Sequence, residues 1–312
     1  MKAKIKKLLF EHSVNSRDTS KRLGKKTRTS QQSAHYLLNS LKKKKQIEGT
    51  VTIVDAIKLG FIQVIVGVNF LNPALKKEII DELKEIPSIT SIEECKEGID
   101  LLVGYTTQNL SAFNKLHSEM TYKFYKKLKT DFVFPIIVSH EYNRNYLSRK
   151  FKDTDMILFG DRDLEKLSEN EMSVLEELVE NPDNRIIDIS NSLNISVKSV
   201  VRIKKTLEKK SIIRGYTSIL NYSKLDINRQ IIFLKFSSEG IKQIEKFHTF
   251  TKYDKNIVNF MKIIGEFQLA VFVEDLKDIE IIKEIRANFP IESYRVIKCE
   301  KIHKKGYLPL LS

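Results

Sequence analysis

Long apolar runs are missing from this chain. The longest, Phe61 to Val68 and Ile231 to Phe236, fall far short of the roughly 18 to 20 residues needed to cross a bilayer, so no membrane partner is expected. The first ten residues hold only Leu8, Leu9 and Phe10 as an apolar stretch, too short for a signal-peptide core, and a cytoplasmic protein is expected. Cysteine is scarce. Cys95 and Cys299 stand alone without metal-like or redox-like spacing, which points to reduced, structural thiols. Six histidines, His12, His35, His117, His140, His248 and His303, are scattered, none paired with another histidine or a cysteine at ligand spacing, so no metal site is expected. There is also no Gly-rich phosphate loop and no nucleophile elbow. Neither a cofactor nor an enzyme activity is expected on these grounds.

What the chain does have is positive charge, unevenly placed. Its 312 residues, 41% hydrophobic and 30% charged, suffice for more than one packed core, and the net charge is +14. Residues 1 to 50 carry fourteen lysines and arginines against Glu11, Asp18 and Glu48, a local excess of eleven. Such a cluster is the electrostatic footprint of a polyanion binder, because each cation facing a phosphate releases condensed counterions. A solvated lysine-rich surface is the plain alternative.

The chain also repeats itself. Leu41, Ile47, Gly49 and Leu59 recur as Leu207, Ile213, Gly215 and Leu225, each at an offset of 166 positions, a length that fits a duplicated multi-element module. In the first copy Ile5, Leu8 and Leu9 mark one helical face, Arg17 to Leu23 a second short helix, and Ala34, Leu37, Leu38 and Leu41 a third, with a capping box placing its start near Thr29. Ile47, Val51, Ile53 and Val54 then alternate like a β wing. In the second copy Ser168 and Glu171 form a capping box, and Met172, Leu175 and Val179 the inner stripe of a first helix. Arg185 to Leu193 supplies a second helix, and Ser196 caps a third whose Val200, Ile203 and Leu207 face inward. Three helices with a tight turn before the third is the helix-turn-helix pattern.

At these residues the chain resembles the leucine-responsive regulatory protein and asparagine-regulator (Lrp/AsnC) family of transcription factors. The match runs through Asn184-Arg185, Ile189, Leu193-Asn194-Ile195-Ser196, Val200, Arg202-Ile203, Leu207-Glu208, Ile212-Ile213, Gly215-Tyr216 and Leu220-Asn221. The first copy keeps Asn15-Ser16-Arg17, Leu23-Gly24, Leu37, Leu41, Ile47, Gly49, Val54-Asp55 and Leu59-Gly60, with a longer turn over Lys25 to Arg28. Downstream, each copy reads β-α-β-β-α-β. The first has strands at 61–70, 89–95, 101–106 and 132–139 with helices at 74–85 and 110–129. The second has strands at 230–236, 257–263, 269–273 and 293–299 with helices at 241–252 and 276–288. The expected fold class is α+β, two copies of a winged helix-turn-helix plus a ferredoxin-like βαββαβ domain. Its expected divisions are 1–55, 56–149, a linker 150–167, 168–222 and 223–312.

The resemblance implies a sequence-specific regulator whose partner is double-stranded DNA and whose ferredoxin-like domains dimerise and bind an amino-acid effector. Arg28, Ser30, Gln31, Gln32, His35, Asn39, Lys42 and Lys43 are the expected DNA contacts of the first copy, and Lys198, Ser199, Arg202 and Lys205 those of the second. Glutamine and asparagine can pair two hydrogen bonds with adenine, whereas the plain alternative is a solvated helix face. Acidic Glu169, Glu171, Glu176, Glu177 and Glu180 surround the second copy, so unequal contributions are expected. Glu97, Gly98 and Asp100, and in the second copy Gly265 and Gln268, occupy the family's Gly-x-x-Asp effector turn incompletely, and an ordinary hairpin turn is the alternative.

Fusion raises the local concentration of the second module, so an intrachain pseudo-dimer is expected, with the face of Gln63, Ile65 and Gly67 meeting that around Ile232 and Leu234, and further homo-oligomers open. Two rival functions stand beside the regulator: an amino-acid sensor that does not touch DNA, and a haem-precursor enzyme. The second arises because His140-Glu141-Tyr142-Asn143 resembles a histidine-tyrosine-asparagine stretch of the sirohaem decarboxylases. Here it follows the last strand instead of lying near the central ones, and it is taken as coincidence.

Overall fold

The first helical bundle is set by a few local signals. A computed structural model describes residues 1–309 of the chain. In it α1 (Ala3–Val14) buries Leu8, Leu9 and Phe10, α2 (Ser20–Thr27) buries Leu23, and α3 (Gln31–Lys43) buries Ala34 and Leu41. The cap of α3 is Ser30 and not Thr29: the Ser30 hydroxyl accepts from the Ser33 amide, while the Thr29 hydroxyl pairs with Thr27 at 2.9 Å. Gly24 sits where a Cβ would lie 3.0 Å from the Thr29 carbonyl, so the α2–α3 turn can pack closely against it.

Two strands expected as separate wings, β1 (Ile47–Val54) and β7 (Ile213–Leu220), pair with each other antiparallel, from Ile47 opposite Leu220 to Val54 opposite Ile213. Each bundle consequently completes its core with the other copy's strand. Leu8, Leu9, Leu23 and Leu41 cluster with Leu220, Tyr222 and Leu225. The second bundle, α6 (Glu169–Glu180), α7 (Ile186–Ser192) and α8 (Val197–Lys209), packs Val174, Leu175, Val200 and Leu207 against Val51, Ile53 and Val54. Its caps at Ser168 and Ser196 form as expected. Burial of each such leucine stabilises by about 1.5 to 3 kcal/mol, so the ribbon fastens the two bundles together.

Below the ribbon lie two units of the same element order. The first runs β2 (Ile62–Phe70), α4 (Lys76–Lys84), β3 (Ile89–Glu97), β4 (Leu101–Thr107), α5 (Leu110–Lys123) and β5 (Leu128–Glu141). The linker contributes a short strand, β6 (Met156–Phe159), paired on β5. A turn of helix, α9 (Tyr222–Leu225), leads into the second unit: β8 (Asn228–Phe236), α10 (Ile244–Tyr253), β9 (Ile257–Ile263), β10 (Leu269–Asp275), α11 (Ile281–Asn288) and β11 (Ile291–Lys305). β11 crosses to pair with β3, β5 crosses to pair with β9, and β2 pairs with both β4 and β5. The eight long strands thereby close into a ring.

Closure explains where the elements depart from expectation. β5 and β11 run 14 and 15 residues because their far halves serve the neighbouring unit. α5 stops at Lys123, and Lys126, in the left-handed region at φ 62°, turns the chain into β5. Alternation along the strands sends Ile65, Ile231 and Phe233 into the barrel, and Val64, Val66, Ile232 and Leu234 beneath the helices. The inner partner of Ile65 is thus the face of Ile231 and Phe233, one residue out of step with the expected Ile232 and Leu234, which a period of two turns into opposite faces. Phe132, Phe134, Phe233 and Phe267 fill part of the interior, with Phe132 and Phe134 stacked at 4.6 Å.

Candidate nucleic-acid interface and barrel cavity

The exposed side of α3 gathers most residues expected to touch DNA. Gln31, Gln32, His35, Asn39 and Lys43 are exposed on the helix, with Ser30 at its cap and Arg28 in the preceding turn. Asn39 and His35 are linked at 3.0 Å, and His35 Nδ1 lies 3.3 Å from the Ser20 hydroxyl on α2. Tyr36, 78% exposed on the same helix, went unremarked in the sequence, where an aromatic at helical spacing reads as core. Lys42 is turned away from the set: its Nζ lies 2.9 Å from Asp183 in the second bundle. Lys21, Lys25, Arg28 and Lys43 to Lys45 make no ion pair among the described residues.

On α8, Lys198, Arg202 and Lys205 are exposed and Ser199 half-buried beside its cap. Arg202 shares a shallow recess with Ser168, Asn170 and Glu171, so an acid sits beside the cation. The two bundles also touch directly. Arg17 donates to the carbonyls of Pro182 and Asn184, the latter at 2.6 Å, and its guanidinium lies over the Tyr216 ring. Asp183 additionally accepts from Thr50 at 2.7 Å. Burial raises the Asp183 pKa, but the hydrogen bonds from Lys42 and Thr50 hold it below the usual carboxylate range.

Between the β1–β7 ribbon and the barrel interior lies a cavity of about 320 Å³. An eight-stranded barrel is just wide enough to be filled by side chains or to hold one small ligand. Part of its wall is a buried ion network. Arg229 on β8 makes a two-pronged contact with Glu93 on β3 and donates to Glu274 on β10 at 2.8 Å. Glu274, wholly buried, also accepts from Arg144 at 2.9 Å, Tyr146 at 2.8 Å and Tyr222 at 3.1 Å. Burial alone would raise its pKa; Arg144 and Arg229 override this and hold it at about 2. Sequence reading missed the network. The available signal was a charged residue continuing an apolar inward register, Arg229 before Ile231 and Phe233 on β8 and Glu274 after Ala270 and Phe272 on β10; polar β3 offers no such contrast at Glu93.

Other cavity groups are unpartnered. Arg214 Nε, Thr154 Oγ1 and Asn259 Oδ1 are buried without a hydrogen-bond partner, and all three residues line the cavity. Unsatisfied buried polar atoms converging on one space mark it as a place for a polar ligand or water. The stretch taken as coincidence sits here too, since Glu141, Tyr142 and Asn143 form part of the wall.

The effector-turn residues do not reach this cavity. Glu97 ends β3 and Gly98 follows it, both exposed; Gly265 is exposed after β9, and both glycines have positive φ. Asp100 accepts from the Phe70 amide at 2.7 Å and Gln268 from the Phe236 amide at 2.8 Å, so each side chain ties its turn to the end of the neighbouring strand, β2 or β8. Among the histidines, the structure joins two that lie 108 positions apart: His248 Nε2 is 3.2 Å from His140 Nδ1, beside Asp155.

No family model matches the chain. An uncharacterized HTH-type transcriptional regulator of Pyrococcus furiosus is 26% identical over 110 residues, which cover 35% of this chain and 72% of that protein. Two crystal structures of the sirohaem decarboxylase NirDL, one in complex with an iron-uroporphyrin III analogue, align over 99% of this chain and 94% of theirs at 13% identity, with TM-scores of 0.59 and 0.57. The likeness establishes the α+β, two-module fold along the whole chain. It also corrects the expectation of a chain without enzyme activity, because the same full-length architecture is that of a known enzyme. No helix of the described residues is long and apolar enough to cross a membrane.

Proposed function

We propose that the protein is a double-stranded-DNA-binding transcriptional regulator whose barrel cavity receives a small, carboxylate-bearing effector. The observation that carries this reading is the pair of exposed basic third helices, α3 and α8, held at a fixed mutual placement by the β1–β7 ribbon and the Arg17 and Lys42 contacts. Lysines and arginines would position the duplex through phosphates, and Gln31, Gln32, Asn39 and Arg202 would meet base edges. Functionally the chain divides into reading heads 1–55 and 168–222, joined units 56–149 and 223–312, and the linker 150–167. The heads differ, so an asymmetric operator fits better than a perfect palindrome. The regulator from Pyrococcus furiosus supports the assignment to DNA.

The test is anisotropy titration of labelled genomic fragments over a salt series. The logarithm of affinity should fall linearly with that of salt, by about 0.9 for each phosphate contact. Replacing Lys43, Lys44 and Lys45 with glutamine should flatten the slope; an unaltered slope sinks the interface. For the cavity, Arg214 supplies the unpaired cation an acidic effector needs, and Arg214→Gln should abolish ligand-induced thermal stabilisation while sparing the fold.

A second reading, tetrapyrrole decarboxylation in the same cavity, is favoured by the whole-chain likeness to NirDL and by Arg144, Arg214 and Arg229 in its wall. Adding iron uroporphyrin and following the visible spectrum and released carbon dioxide separates the two readings.

A further inference from the structure

One group of metal-ligating side chains belongs neither to the helical faces nor to the ion network. His140 near the end of β5, Asp155 just before β6 and His248 on α10 converge beside the barrel wall. His140 Nδ1 lies 2.7 Å from Asp155 Oδ1, His248 Nε2 lies 3.2 Å from His140 Nδ1, and His248 Nε2 lies 3.6 Å from Asp155 Oδ2.

Hydrogen bonding serves this convergence only poorly, because a single proton at His140 Nδ1 would have to be shared between Asp155 and His248. If His140 Nδ1 carries its proton toward Asp155, it offers His248 no lone pair. If it accepts from His248 instead, its lone pair faces the carboxylate at 2.7 Å. Two imidazole nitrogens and a carboxylate gathered within 3.6 Å of one another are what a cation resolves. A tetrahedral ion with bonds of about 2.0 to 2.1 Å sets its ligand atoms roughly 3.3 Å apart, and the separations here, 3.2 Å between the imidazole nitrogens and 2.7 and 3.6 Å from them to the two Asp155 oxygens, are of that scale.

We propose that His140, Asp155 and His248 form a divalent transition-metal site of the zinc class, which fastens the linker and the first unit's last strand to α10 of the second unit. Two imidazoles and one carboxylate select zinc-like ions over magnesium or calcium, which prefer all-oxygen sites. Three protein ligands leave a fourth position open to water. The Phe260 ring stacks on His248 at 5.2 Å and lies 5.6 Å from His140, giving the site one apolar wall. Asp155 and His248 remain partly exposed, which leaves an entry path. Asp155 also lines the cavity, so a bound ion fixes the wall segment from Thr154 to Met156.

The full chain, stripped with a chelator and dialysed, is titrated with Co²⁺ as a spectroscopic probe. One equivalent should produce the visible bands of a four-coordinate ion, one equivalent of Zn²⁺ should displace it, and either ion should raise the melting temperature until chelator is added back. His248→Gln, His140→Asn and Asp155→Asn should each lose the bands and the metal-dependent shift, while their circular dichroism and metal-free melting match the stripped wild type. Absence of stoichiometric uptake by the wild type overturns the site, whatever the variants do. Uptake retained in the variants also overturns it, because the ion would then sit on other histidines.

Discussion

Lys42 of α3 reaches Asp183 in the loop of the opposite bundle at 2.9 Å, so a lysine of the first reading helix is held by the second. Both side chains are substantially exposed, and such a pair contributes at most about 1 kcal/mol. Its larger effect is on the field that DNA meets. Asp183→Asn removes an acid beside α3 and frees Lys42. The expected outcome is tighter DNA binding with a salt slope steeper by about 0.9, the value for one added phosphate contact, and little change in melting. An unchanged slope in anisotropy titrations would place Lys42 away from the duplex.

His12 of α1 contacts the Ser218 hydroxyl on β7 at 2.7 Å and is almost fully buried. Burial, aided by the nearby charge of Lys42, lowers its pKa from 6.5 to about 4. Between these values the unfolded chain binds the proton and the folded chain does not. The stabilisation is therefore complete above pH 6.5 and is lost as pH falls toward 4, by up to roughly 3 kcal/mol. Denaturant melts at pH 7 and pH 5 should show this loss, and His12→Gln should remove most of it.

Glu274 titrates in a separate, lower window. Its pKa is held at about 2 instead of 4.5, so its contribution is complete above pH 4.5 and disappears as pH falls toward 2. Glu274→Gln leaves Arg144 and Arg229 without their shared carboxylate in a buried wall. Such a loss costs about 3 to 5 kcal/mol at neutral pH and should flatten acid unfolding below pH 4.5. A variant as stable as the wild type at pH 7 would mean that the network contributes nothing.

Legibility in the sequence followed the range of each interaction. Ser168 with Glu171 and Ser196 are local signals, and each caps its helix where the residues put it; the strands β2 and β8 also form where their apolar runs lie, but the inward face of β8 is the one opposite to that expected. The shared ribbon was not legible, because alternation at Ile47 to Val54 says a strand forms and not which strand it joins. Closure of the barrel left a trace only in strand length: Lys301, Ile302, Lys304 and Lys305 continue β11 well past the expected end at Cys299 to pair with β3. The α3 face was legible as an amphipathic pattern, but the loss of Lys42 to Asp183 and of Arg17 to Asn184 depends on contacts more than 140 positions apart. His140 with His248, and Arg229 with Glu93, lie beyond sequence spacing for the same reason.

Cys95 and Cys299 report on whether the barrel closes within one chain. They occupy paired positions where β3 meets β11, with sulfurs 3.6 Å apart and both side chains buried. Burial pushes the Cys299 thiol well up, so neither should react readily with a bulky maleimide while the protein is folded, and both should react after denaturation. A small copper-based thiol oxidant that reaches them should remove two protons and two electrons and join the sulfurs. Because β3 and β11 belong to the same chain, the product should run as a monomer on a non-reducing gel and resist maleimide after denaturation. If the second unit were instead exchanged with another molecule, the same pair would yield a disulfide-linked dimer. A dimer band that vanishes in Cys95→Ser would rule out intrachain closure and put two chains in each barrel.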